Sequence, residues 1–372
     1  MTCAEPTAAP CHPAAPGDDG WSWAATLSAL LQGRDLTSGQ AAGAMRRIIA
    51  GEATPAQVAG FAIALRAKGE SPAEVSGLVE ALTAAATPVV IEGRTVDIAG
   101  TGGDGTGAVN ISTMAAIVAA ATGLTVVKHG GRAASSSGAG AADVLERLGV
   151  ALELTAEQSA QVAAEVGITF LFGPSFSPGL RHAAGPRREL GVPTVFNLLG
   201  PLINPAAPRH QVIGVADGRM APVVAEVLAA AGRSALVVHG LDGMDKLSTP
   251  APSQLWIVRD GQVTAGRLDA RELGLARPEP SALRGGDAQH NAQVVLALLD
   301  GQRGPIRDVV LLNAAAVLVV AADDAVAPLL EQFAVALRDC AAVVDSGAAR
   351  ATLQRWVAAG RRAAVHPAPR AW

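Results

Sequence analysis

TVDIAGTGGDGTGAVNISTMAAIVAAATGLTVVKHG, residues 95–130, decides the fold. TVDIAG reads as a short strand entering a glycine loop, ISTMAAIVAAATG as a helix closed by Gly123, and LTVVKHG as a second strand. A strand, loop, helix and strand of this length make a right-handed βαβ unit with parallel strands. Gly100, Gly102 and Gly105 satisfy G-x-G-x-x-G. Alone that is a weak dinucleotide signal, and a plain tight turn can produce it. A dinucleotide site also needs an acidic residue near the end of the second strand to hold the ribose hydroxyls. This chain has Lys128 and His129 there, and a cation at that point suits a pyrophosphate. The loop therefore reads as an anion cradle. Its glycines let backbone N–H groups approach phosphate, and the helix starting near Asn110 points its positive end the same way. Asn110, Ser112 and Thr113 place side-chain donors in that first turn, where capping alone would need only one of them.

Outward from this unit the texture is α/β. Half of the 372 residues are hydrophobic, but only 3% are aromatic and none is tyrosine. Ala, Val and Leu make up most of the apolar excess, which suits helices packed on a buried parallel sheet. Further strands are expected in HQVIGV, ALVVHG, QLWIVRD and VVLLN. Residues 23–90 carry apolar positions three and four apart and form a small all-helical domain. Within it Thr37, Thr54 and Ser71 precede helical stretches, the last two with Pro at the first helical position. A helical segment at about 178–191 is expected to pack back onto that domain, and 91–372 to form the larger α/β domain with a mainly parallel central sheet. Residues 1–22, rich in Pro and Ala, read as a disordered extension.

The net charge of -4 excludes the basic footprint of a nucleic-acid binder. The extension lacks the basic start and apolar run of a secretory signal, and no apolar run is long enough to span a bilayer. Cys3, Cys11 and Cys340 have no metal spacing and read as free thiols. A cytoplasmic protein is expected.

The motifs, taken together, resemble the anthranilate phosphoribosyltransferases of tryptophan biosynthesis. DIAGTGGDG from Asp97, NIST from Asn110, KHGGRAASS from Lys128 and ADVLERLGV from Ala142 carry the resemblance. RRELGVPTVFNLLGPLINP from Arg187, GMDKLS from Gly243, GGDAQHNA from Gly285 and VVLLNAAAVL from Val309 extend it to nearly everything between Trp23 and Trp356. The resemblance implies a magnesium-dependent glycosyltransferase, usually a homodimer, that moves phosphoribose from phosphoribosyl pyrophosphate to anthranilate. It implies a donor site of Gly100, Gly102, Gly103, Asp104, Asn110, Ser112, Thr113, Lys128, His129, Gly130 and Ser136. Lys128 is implied as a point charge on phosphate, and Ser112 and Asp245 as magnesium ligands. Gly100, Gly131, Ser177 and Arg187 are implied on the acceptor side, Arg187 holding the carboxylate. Asp104, Lys128 and Arg187 are the expected catalytic group.

Several residues depart from the family pattern. Gly131 replaces the asparagine of KHGNR, Ser177 a histidine, and Pro193 an arginine, all on the acceptor side. On the donor side Ala108 replaces a threonine, and the stretch from Ser137 to Ala142 holds about one inserted residue. Lys246 stands where a magnesium-ligating glutamate is usual, a swing of two charge units. Two alternatives follow: a paralogue using the same donor with another aromatic acid, and an impaired member that binds a ligand or nucleic acid without turnover.

Overall fold

The computed structural model describes residues 21–133, 138–322 and 327–365. Four helices open the chain: α1 (Trp23–Leu31), α2 (Ser38–Ala50), α3 (Pro55–Lys68) and α4 (Pro72–Ala85). Thr37, Thr54 and Ser71 each cap their helix, while Gln40, Gln57 and Glu74 reach back to the cap's N–H. These reciprocal boxes satisfy otherwise orphaned backbone donors and fix each helix start. Met45, Ile48, Phe61, Leu65 and Leu78 fill the space between the helices. Trp21 and Ser22, expected within the extension, belong to this packing. Arg47 stacks on the Trp21 ring and Ser22 caps α1.

A seven-stranded sheet in the order β3-β2-β1-β4-β5-β6-β7 forms the second layer system. The strands are β1 (Thr95–Gly100), β2 (Thr125–Gly130), β3 (Ile168–Phe172), β4 (His210–Gly214), β5 (Ser234–Gly240), β6 (Ser253–Arg259) and β7 (Gln262–Leu268). The first five run parallel, and β6 and β7 are antiparallel additions at one edge. From β1 the chain proceeds to β2 on one side, while β4 flanks it on the other. The ends of β1 and β4 therefore border the topological switch point, where α/β sheets bind ligands.

One face of the sheet carries α5 (Ile111–Ala121), α13 (Pro305–Ala321) and, behind them, α14 (Leu329–Asp345) and α15 (Ala348–Val365). With α6 (Ala141–Arg147), α7 (Ala156–Val166) and α12 (Ala288–Leu299), they enclose the main core. On the other face α11 (Ala221–Ala230) packs against β5 and β6. A one-turn helix, α8 (Gly173–Phe176), leads to α9 (Arg181–Leu190) and α10 (Val195–Leu202). Ala183, Val195, Phe196 and Leu199 of the latter two join the core of the helical domain. The returning segment thus extends beyond residue 191.

VVLLN is not a strand: Val309–Asn313 lie within α13, buried on every side. A short, wholly apolar run has no periodicity to separate a core strand from a core helix. Two strands escaped the sequence reading, β3 and the exposed edge strand β7. The hairpin into β7 had a local signal, because Asp260 and Gly261 both adopt positive φ as a two-residue turn requires. Cys340 is buried and unbonded, and burial pushes its thiol up to about 12; Cys3 and Cys11 lie outside the described residues. No helix among the described residues is long and apolar enough to cross a membrane.

Gly77 faces α2 so closely that a Cβ there would sit 2.0 Å from the carbonyl oxygen of Ser38. Alanine favours a helix by about 1 kcal/mol, whereas overpacking costs about 1–3 kcal/mol. Gly77→Ala is therefore expected to lower the thermal midpoint by several degrees. An unchanged or higher midpoint means that α2 and α4 are not locked at this distance.

Candidate active site

The glycine loop leaves β1 at the switch point. Gly102, Gly103, Gly105 and Gly107 all have positive φ, a backbone conformation that glycine adopts readily. Asp104 closes the turn, its Oδ1 accepting from the Thr106 N–H (3.1 Å) and hydroxyl (3.0 Å). The loop is also held from outside. Ala108 bridges to Arg284, and Gly285 N–H donates to the Gly107 carbonyl at 2.8 Å.

Asn110 does not cap α5 with its side chain. Its Nδ2 donates to the Ala139 carbonyl and its Oδ1 accepts from Asn291 Nδ2, both at 2.8 Å. Asn291 in turn accepts from Gly286 N–H, so it fixes which way the Asn110 amide points. The sequence reading missed this role, although Asn291 ends the quoted GGDAQHN run. With no side-chain cap, the helix end keeps its partial positive charge for an anion. Thr113 Oγ1 is buried without a partner among the described residues.

Lys128 is only 2% exposed, and its ammonium is turned beneath the loop. It donates to the Ile98 carbonyl at 2.7 Å and to Ser112 Oγ at 3.3 Å. The ammonium expected to contact phosphate thus lies beside Ser112, in the first turn of α5. Asp97, on the opposite face of β1, accepts from Asn204 Nδ2 at 2.8 Å. Burial raises its pKa to about 6 against the pull of Lys128, and burial lowers that of Lys128.

His129 follows Lys128 on β2 and, by the strand's alternation, points the other way. Its Nδ1 lies 3.0 Å from the Gly200 carbonyl, which can only accept, so that nitrogen carries the proton. Burial lowers its pKa to about 4, leaving a neutral ring whose Nε2 has no partner among the described residues. Beyond it lie Gly130 and Gly131, where the strand ends, then the short α8. Ser177, just after α8, has a buried hydroxyl with no partner among the described residues. The Cβ position of Gly103 lies within 4.0 Å of both Asn197 and Pro193, so the glycine loop meets the α9–α10 segment directly. Arg187 on α9 is half-buried, with its guanidinium 5.6 Å from the Phe196 ring centre. It has no carboxylate partner among the described residues, and burial lowers its pKa. Arg188 beside it is exposed. Ser136 lies outside the described residues.

The loop carrying Asp245 and Lys246 crosses the ends of β1 and β4. A Cβ on Gly214 would sit 1.6 Å from the Asp245 carbonyl oxygen, and one on Gly100 would sit 2.2 Å from Asp245 Oδ2. Only glycine permits that approach. Asn313 of α13 grips the loop from below, accepting from Leu247 N–H (3.0 Å) and donating to its carbonyl (2.9 Å). Asp245 Oδ2 accepts from Gly102 N–H at 2.7 Å, tying this loop to the glycine loop. Lys246 pairs with Asp245 Oδ1 and with Asp104 Oδ2, the latter at 2.6 Å. Burial would lower the Lys246 pKa, but the two carboxylates together raise it; the same contacts outweigh burial at Asp104 and hold it at about 2.

This geometry tests where magnesium fits. Magnesium binds through one or two protein oxygens plus substrate phosphates and water. The Ser112 hydroxyl at the cradle fits that description. The gap between Asp104 and Asp245 does not, because an ammonium fills it. Among the described residues no three His, Cys, Asp or Glu side chains cluster as a metal site.

Comparison with known proteins agrees with this arrangement. Residues 92–350 match the glycosyl transferase family a/b domain, and residues 25–86 its helical bundle domain. The anthranilate phosphoribosyltransferase of Streptomyces griseus is 56% identical over 338 residues, covering 91% of this chain and 95% of the relative. That of Nocardioides sp. is 55% identical, covering 92% and 99%. The crystal structure of the Thermus thermophilus enzyme superposes with a TM-score of 0.81 at 42% identity, covering 90% and 99%. The Saccharomyces cerevisiae enzyme in complex with phosphoribosyl pyrophosphate and magnesium gives 0.82 at 25% identity, covering 91% and 98%.

The His129 environment makes a signed prediction. The unfolded chain protonates this histidine near pH 6.5 and the folded chain only near 4, so acid favours unfolding between those values. Stability is unaffected by the group above its unfolded pKa and falls as pH drops below it. His129→Asn, which keeps a donor for Gly200, is expected to lose about 2 kcal/mol less than the parent between pH 7.5 and 5. Equal losses in urea titrations at the two pH values would show that His129 does not carry this acid sensitivity.

Proposed function

Because the chain belongs to the anthranilate phosphoribosyltransferase family of glycosyl transferases, we propose that it transfers 5-phosphoribose from phosphoribosyl pyrophosphate to anthranilate, releasing pyrophosphate. The observation that carries this reading is the juxtaposition at the switch point. The glycine loop meets the α9–α10 segment at Pro193 and Asn197, and α9 carries Arg187, a half-buried guanidinium with no carboxylate partner among the described residues. A guanidinium in that state calls for a carboxylate, and its planar fork suits one held two-pronged.

The reaction breaks the bond between the anomeric carbon and pyrophosphate, so positive charge grows on the sugar and negative charge on the leaving group. The backbone N–H groups that the glycine loop leaves free and the uncapped start of α5 would meet that negative charge, with the Lys128 ammonium beside Ser112. Such groups stabilise the transition state because they are already oriented when charge develops. Magnesium, when bound, would be held on the protein side by Ser112 and would supply a further share of that stabilisation. Asn110 and Thr113 complete the donor side; Gly100, Gly103 and Gly130 allow close approach. On the other side, Arg187 fixes the carboxylate so that the ortho amine meets the anomeric carbon. An aryl amine is already neutral at pH 7, so positioning supplies most of the rate and no strong base is needed. His129, neutral with a bare Nε2, and Ser177, with a bare hydroxyl, line the acceptor side beside Gly131.

We place this chemistry in a cytoplasmic homodimer, with residues 91–372 binding the donor and residues 23–90 forming the helical domain. Exposed Leu31 and Ile63 on that domain support a subunit contact. The unusual acceptor side favours a second reading, the same donor with another aromatic acid. Purified protein with donor and magnesium is expected to deplete anthranilate fluorescence. No depletion, with pyrophosphate released to a different aromatic acid, would select the second reading; no release with any acceptor would reject both.

Arg187→Ala is expected to raise the acceptor KM by roughly a hundredfold, the loss of a charged, two-pronged contact. The KM for phosphoribosyl pyrophosphate should stay within about twofold, since uniform binding is lost for the acceptor alone. A loss confined to kcat, or an equal rise in both KM values, would remove Arg187 from the carboxylate.

A further inference from the structure

Lys246 is the one charged side chain in the site whose place is already set by two others. Its ammonium has three protons. Asp104 Oδ2, at 2.6 Å, and Asp245 Oδ1 take two. Among the described residues the third has no acceptor, and the side chain remains 16% exposed at the rim of the glycine loop. The two carboxylates are themselves committed. Asp245 holds Gly102 N–H, and Asp104 holds Thr106. Both therefore stay where they are when an anion arrives, and the ammonium stays with them.

We propose that Lys246 is a built-in counter-ion for the leaving pyrophosphate, taking the place between Asp104 and Asp245 that an exchangeable cation would otherwise fill. Its third proton is donated to a pyrophosphate oxygen as the donor settles on the glycine loop. The protein then needs only the magnesium that accompanies the donor on the Ser112 side. Three facts support this. Two acidic groups beside an anion cradle demand a cation, the chain supplies one covalently, and that cation keeps a donor in reserve. The inference rests on the donor reading above.

Manganese, a paramagnetic substitute for magnesium, gives a test that does not depend on turnover. Equilibrium dialysis with phosphoribosyl pyrophosphate, read by electron paramagnetic resonance, is expected to find about one manganese per bound donor in the parent protein. Lys246→Glu is expected to bind about two, and Lys246→Met to weaken inorganic pyrophosphate binding by roughly tenfold or more. Two manganese ions per bound donor in the parent would overturn the assignment of Lys246 while leaving the donor reading intact. Absence of any donor binding would overturn both. The parent count stands even where a variant fails to fold, and unchanged pyrophosphate affinity in a folded Lys246→Met protein also refutes the contact.

Discussion

The structure turns on how closely the backbone of Asp245 lies over the ends of β1 and β4. No side chain larger than hydrogen fits at Gly100 or Gly214 while that loop is in place. Gly240, ending β5, meets the same constraint, since a Cβ there would lie 2.5 Å from Asp242 Oδ1. Three neighbouring parallel strands thus end in glycine so that one loop can lie flat across them. Asn313 then grips that loop from α13, and Asp245 ties it to Gly102. The cradle is therefore built on the sheet itself and not on a loose surface loop. Donors fixed in this way are oriented before charge develops, which is what electrostatic catalysis requires.

The pleat of β2 divides the labour. Lys128 and His129 are consecutive, so they leave opposite faces of the sheet. Lys128 meets Ser112 on α5, the phosphate side, and His129 meets Gly200 on α10, the side of the helical domain. One strand end thereby directs a buried ammonium toward α5 and a neutral ring toward α10. Asp97 sits across from both, accepting from the His129 backbone and from Asn204, and Asn204 also donates to the Val127 carbonyl. The segment that carries Arg187 is consequently anchored to the same strands as the cradle. The glycine loop and the α9–α10 segment are positioned by one hydrogen-bonded framework.

Local physics was legible in the sequence, and long-range polar pairing was not. The helix starts at Thr37, Thr54 and Ser71 were readable because a cap and its reciprocal residue lie three positions apart. The glycine loop was readable for the same reason: positive φ and a following helix leave a local composition. Asn204, Asn291 and Asn313 were not, because their partners lie 107, 181 and 66 positions away. An asparagine in a loop or a helix looks alike whether it is solvated or holding a catalytic segment. VVLLN shows the complementary failure. A run buried on all sides gives no amphipathic period, and its one polar residue, Asn313, was the clue that a loop leaned against it.

Two carboxylates beside an anion site look like a contradiction, and the hydrogen bonds resolve it. Asp104 and Asp245 accept from N–H and O–H groups of the glycine loop and hold its curvature. Acids are the strongest acceptors available for that task. Their cost is negative charge where negative charge must later be bound. Any chain that shapes its cradle this way must place a cation within a few ångströms, and the identity of that cation decides how the site responds to its surroundings. A metal ion leaves when its concentration falls, taking the balance with it. An ammonium on the chain cannot leave, and the two acids, outweighing burial, hold its proton more firmly than solvent would. Charge balance at this end of the sheet is thus a property of the fold, set when the loop bearing Asp245 and Lys246 closes over the glycines.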